Sequence, residues 1–85
     1  MRLRAKSTQI RAARALLRWT AKDLARASAV SLTTIRRAEL QEGETSMTNA
    51  NELAVRKALE AAGVEFIDDN GGGEGVRLRR SRSKK

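Results

Sequence analysis

Three observations predict a mainly α fold, four helices followed by a short C-terminal β-hairpin. Apolar residues recur at helical spacing in four stretches between residues 7 and 62, each introduced by a residue type suited to capping. After Gly63 the period changes from 3.6 to 2 on either side of a glycine-rich connection. The core material is Ala, Leu, Ile and Val, with Trp19 and Phe66 the only aromatic residues, and small side chains of this kind suit closely packed helices. At 85 residues the chain can build one core, so residues 1–80 are read as a single domain and residues 81–85 as a polar, basic, disordered tail.

The first helix is expected over about 8–18, capped by Ser7 or Thr8, with Ile10, Ala13 and Leu17 inward and Leu16 beside them. Arg11, Arg14 and Arg18 fall on its other side, either as a solvated stripe or as phosphate contacts. Thr20-Ala21-Lys22-Asp23 fits a capping box and opens a short second helix, 21–28, that buries Leu24 and Ala25. Ser31 caps a third helix, 32–40, with Ile35 and Ala38 inward, Thr34 at the margin, and Leu32, Thr33, Arg36 and Arg37 outward. Residues 41–46 read as a loop.

A fourth helix, 49–62, carries Ala54, Val55, Ala58, Leu59 and Ala62 on its apolar side and Glu52, Arg56 and Glu60 opposite, with Glu52 and Arg56 spaced for an ion pair. Asn49 or Thr48 is its cap. Gly63 supplies the left-handed stop, and Val64 the apolar contact that follows such a stop. Strands at 64–67 and 76–79 then flank the connection Asp68 to Gly75, and Met1 to Arg4 is a candidate for a further strand. A lone hairpin is marginal in water, so the face bearing Val64, Phe66, Val76 and Leu78 must rest on the helices or on another subunit.

Composition removes several chemistries at once. Without cysteine or histidine there is no disulfide, no zinc-finger ligation, no thiolate nucleophile and no imidazole base, so an enzyme is not expected and neither is a cofactor. No apolar run approaches the roughly 18 residues of a membrane span, and the first residues lack a signal-peptide apolar region, which gives a cytoplasmic expectation. Gly71 to Gly75 is followed by no Gly-Lys-Ser/Thr and opens no helix, so it is a loop rather than a phosphate cradle. Asp68 and Asp69 have no further ligands spaced around them and read as turn residues.

The net charge of +8 is unevenly placed. Residues 1–42 carry ten basic groups against three acidic, residues 43–75 two against seven, and residues 76–85 six against none. That distribution fits one face turned to a polyanion, since each Lys or Arg set on a phosphate releases counterions; a merely soluble basic domain is the alternative.

Thr20 to Glu39 contains the parts of a helix-turn-helix: Ala25 as a small residue at the helix crossing, Ala29-Val30 as the turn, Leu24 and Ile35 as anchors, and Ser31 at the start of the second helix. The stretches Thr20-Ala21-Lys22-Asp23-Leu24-Ala25 and Val30-Ser31-Leu32-Thr33-Thr34-Ile35-Arg36-Arg37-Ala38-Glu39 resemble the Cro/XRE family of regulators, and with the flanking helices the likeness covers roughly residues 7–62. The resemblance implies a lambda-repressor-like domain that binds double-stranded DNA and acts in transcription regulation. By the family's pattern Leu32, Thr33, Arg36 and Arg37 face the major groove, with Ser31 and Thr34 nearer the phosphates. Ala21 stands where the family often has a phosphate-binding glutamine, which implies one contact fewer or a substitute such as Lys22. Ala29 stands where the turn is commonly glycine.

The expectation that follows is a repressor binding a two-fold related operator as a homodimer through Val64, Phe66, Val76 and Leu78. The rival expectation is an antitoxin-like or antiactivator-like module on the same fold, with a regulatory protein as partner. The basic tail, Arg79 to Lys85, is either a set of phosphate contacts or a solvated end.

Overall fold

The computed structural model describes residues 5–43 and 45–79. The proposed strand at Met1 to Arg4 and the tail beyond Arg79 lie outside the described residues. The chain order is α1 (Ser7–Leu17), α2 (Ala21–Ser28), α3 (Leu32–Leu40), α4 (Asn49–Ala61), β1 (Val64–Ile67) and β2 (Gly75–Leu78). The protein is thus mainly helical with a small antiparallel hairpin, in register Val64 to Leu78, Glu65 to Arg77, Phe66 to Val76 and Ile67 to Gly75.

Each helix buries the stripe that its spacing dictates. Ile10 and Ala13 of α1, Leu24 of α2, Ile35 and Ala38 of α3, and Val55 and Leu59 of α4 meet in one core, which Ala5, Val30, Met47 and Val64 complete. α2 packs on α3 and α4, while the hairpin lies against α1 and α4. Val64 follows Gly63, whose φ of 112° turns the chain out of α4, and is 0% exposed. Phe66 and Val76 are half-buried against the same core. The helices therefore cover most of the hairpin's apolar face, and Leu78, 46% exposed, is the part left open.

Several local expectations are corrected. α1 begins one residue early because Lys6 is its cap, its N–H donating to Gln9 Oε1 at 2.9 Å. Ser7 is instead buried, its hydroxyl donating to the Gln41 carbonyl. Thr48, not Asn49, caps α4, its hydroxyl accepting from the Asn51 N–H at 3.1 Å. Glu52 is not on the solvent side of α4: it is 3% exposed and accepts from the Ala5 N–H at 2.8 Å. The ion pair of this helix runs forward, from Arg56 Nε to Glu60 Oε2 at 3.0 Å, and the same guanidinium lies 4.7 Å from the centroid of the Phe66 ring. Strand β2 starts at Gly75, one residue before the expected position.

Candidate nucleic-acid interface

The local chemistry of α2 and α3 begins at Thr20. Its hydroxyl accepts from the Asp23 N–H at 3.0 Å, and the Asp23 carboxylate accepts from the Thr20 N–H at 2.9 Å, so both ends of the capping box are closed. The bond from the Thr20 amide holds the Asp23 carboxyl below its usual range, with the Thr20 hydroxyl and Arg26 adding to it. α2 stops at Ala29, which is left-handed at φ 60° and ψ 25°. Ser28, buried beside it, donates to the Leu24 carbonyl at 2.8 Å and accepts from the Val30 N–H at 3.3 Å, stitching the turn from inside. Ser31 then caps α3, accepting from the Thr34 N–H at 3.1 Å and donating to the Thr34 hydroxyl at 2.8 Å.

Two forces fix the orientation of α3. Ile35 and Ala38 enter the core. At the far end Glu39 receives a two-pronged hydrogen bond from Arg14 of α1, Nε to Oε2 and Nη2 to Oε1, both at 2.7 Å. The remaining arm of Arg14, Nη1, donates to the Trp19 carbonyl at 2.9 Å, so one guanidinium ties α1, the α1–α2 turn and α3 together. Arg14 therefore leaves the solvated stripe proposed for α1, and Arg18 terminates that helix as a left-handed cap at φ 60°.

With its inner side so held, α3 presents the remaining residues outward. Thr33, Arg36 and Arg37 are exposed, and Leu32 and Thr34 are half-exposed. Among the described residues neither Arg36 nor Arg37 has a carboxylate partner. The two arginines open into shallow depressions on opposite flanks of the helix. Arg36 shares one with Arg11 of α1, Ala21 of α2 and Leu40, which is 85% exposed. Arg37 shares the other with Thr34 and with Ser46, Thr48 and Asn51, around the start of α4. The predicted residues of α3 are thus brought to one face, with Ser31 at its head. Lys22 is exposed on the first turn of α2 and lines neither depression.

Sequence reasoning missed Arg11 as a neighbour of Arg36 and missed Ser46, Thr48 and Asn51 as neighbours of Arg37. Each comes from a different element, so no periodicity within α3 signals it. Neither a family model nor a curated protein matches this chain. Among the described residues no helix is long and apolar enough to cross a membrane.

Proposed function

We propose that this protein is a sequence-specific DNA-binding regulator, a repressor of lambda-repressor-like, Cro/XRE helix-turn-helix type, with α3 lying in the major groove. The observation that carries the reading is the division of α3 into two sides. One side is anchored by Ile35, Ala38 and the Arg14–Glu39 pair, and the other offers Leu32, Thr33, Arg36 and Arg37 to solvent, with neither arginine neutralised among the described residues. A guanidinium can bridge guanine O6 and N7, and Leu32 or the Thr33 methyl group can pack on a thymine methyl, each good base contact giving about 1–3 kcal/mol of discrimination. Rigid anchoring on one side is what allows such contacts to keep their geometry.

Ser31 and Thr34 at the head of α3, and Lys22 on α2, are positioned for phosphates, which add affinity without sequence information. One helix reads only a few base pairs, so a homodimer on two half-sites about one helical turn apart supplies the rest. Val64 takes no part in that interface, because it belongs to the core of its own subunit. The contact falls instead on the rest of the hairpin's apolar face, on Leu78 with the half-buried Phe66 and Val76 beside it. Sedimentation showing a monomer both free and on DNA would remove the dimer from this account.

The test of the whole reading is binding to the DNA upstream of the protein's own gene against a scrambled duplex of the same composition, with an Arg36→Ala/Arg37→Ala double variant alongside. The expected result is a preference of tenfold or more that the double variant loses. Equal weak binding that fades with salt would shift the reading to the antitoxin-like alternative, in which a protein partner covers this surface.

A further inference from the structure

We propose that Arg11 and Arg36 form a two-arginine clamp for the DNA sugar-phosphate backbone on the α1/α2 flank of α3, leaving base discrimination to Leu32, Thr33 and Arg37. This assignment rests on the DNA-binding reading above and divides the labour within it.

The two guanidiniums come from different helices and line the same depression. The one carboxylate that lines it among the described residues, Glu39, is already held on both oxygens by Arg14. Arg14 and Glu39 cancel, so the positive charge of Arg11 and Arg36 stands uncompensated among the described residues. Two like charges facing one depression repel in the free protein, and that repulsion is relieved when a polyanion enters and the condensed counterions leave it.

The surroundings fit a backbone better than a base edge. Arg36 and Leu40, at i and i+4, both line the side of α3 that borders Ala21 and Arg11. Leu40, 85% exposed, offers an apolar surface to a deoxyribose ring on that side. Arg37 lies on the opposite flank, where its neighbours Thr34, Ser46, Thr48 and Asn51 are neutral and, among the described residues, no second cation lines the depression. Charge drawn from two helices suits phosphates, which are recognised by position and sign rather than by a donor and acceptor pattern.

Salt dependence separates the two roles. Arg11→Ala, Arg36→Ala and Arg37→Ala are each titrated with the upstream duplex and the scrambled duplex over a series of salt concentrations. The expected result is that Arg11→Ala and Arg36→Ala each reduce the slope of log K against log salt by about 0.9 on both duplexes. Between 50 and 200 mM salt their loss of affinity becomes about 3–4-fold smaller than that of the parent, and the preference for the upstream duplex is unchanged. Arg11→Lys keeps the slope, and Arg37→Ala lowers the preference. Thermal midpoints measured in parallel stay at the parent value, since both clamp residues are exposed.

The clamp is overturned if Arg11→Ala leaves the slope intact, or if Arg36→Ala abolishes the preference with no change in slope. A parent protein that binds both duplexes equally defeats the sequence-reading proposal alone, because the slopes on the scrambled duplex still judge the clamp. A parent that binds neither defeats both.

Discussion

Arg14 and Glu39 are joined through two hydrogen bonds of 2.7 Å across the gap between α1 and α3. Their side chains are 22% and 9% exposed, well short of the exposure at which an ion pair is worth nothing measurable. Removing one partner leaves the other half-desolvated without a counter-charge. Glu39→Ala is therefore expected to cost about 2 kcal/mol, read from the urea midpoint at an unchanged m-value. A cost below about 0.5 kcal/mol would place the pair among ordinary surface ion pairs.

Ala29 is the second predicted lever. It sits in the left-handed region at φ 60°, where a Cβ is unfavourable and glycine is not. Glycine also gains freedom in the unfolded chain, which offsets part of the relief. Ala29→Gly should stabilise the protein by about 0.5–1 kcal/mol and raise the thermal midpoint by a few degrees. An unchanged or lower midpoint would mean that the turn carries no strain.

Ser31 closes the head of α3 through its bond from the Thr34 N–H. Ser31→Ala should cost about 1 kcal/mol, the usual value of a lost N-cap. Hydrogen exchange offers the sharper check. Faster exchange confined to the Thr33 and Thr34 amides indicates fraying of the helix start, whereas faster exchange throughout the chain would point to a global loss.

Acid sensitivity follows from four carboxyl groups, exposed or half-exposed, that are held below their usual range. Asp23 is lowered by the Thr20 amide, Glu65 by its hydrogen bond from Arg77, Asp69 by the Gly71 and Gly73 amides, and Glu74 chiefly by a backbone amide and then by Lys6. A group depressed on folding contributes stability that is complete above its unfolded value and is lost as pH falls through the folded one. The urea midpoint should thus be flat from neutral pH to about 5 and decline below about 4. Asp69→Asn should make that decline shallower, and carboxyl-carbon NMR should find Asp23 and Asp69 titrating below the peptide value. A midpoint that falls between pH 7 and 5 would contradict the assignment.

The elements were legible because α-helical spacing is carried by neighbours in sequence: Ile35 and Ala38, or Val55 and Leu59, declare a face without reference to the rest of the chain. The change of period at Gly63 was legible for the same reason. What could not be read were the partners that a side chain finds across space. Glu52 looked solvent-facing within α4, and the Ala5 N–H that donates to its buried carboxylate comes from 47 residues away in sequence. Arg14 looked like one member of a stripe with Arg11 and Arg18 until Glu39 and the Trp19 carbonyl met it. The candidate site divides along the same line. The outward residues of α3 followed from its own periodicity, but the flanks on which Arg36 and Arg37 open are built by α1, α2 and the start of α4.

The first turn of α1 is where distant parts of the chain converge. Ser7 N–H donates to the Gly43 carbonyl at 2.9 Å, the Ser7 hydroxyl reaches Gln41, and Gln9 Nε2 donates to the Gly75 carbonyl at 3.1 Å. Next to it, the Ala5 N–H is held by Glu52. During synthesis, which proceeds at about 5–20 residues per second, α1 emerges before the other elements described but cannot complete these bonds until β2 has left the ribosome. Closure of the domain consequently waits on synthesis of β2, with α1 left open at its first turn until that strand arrives.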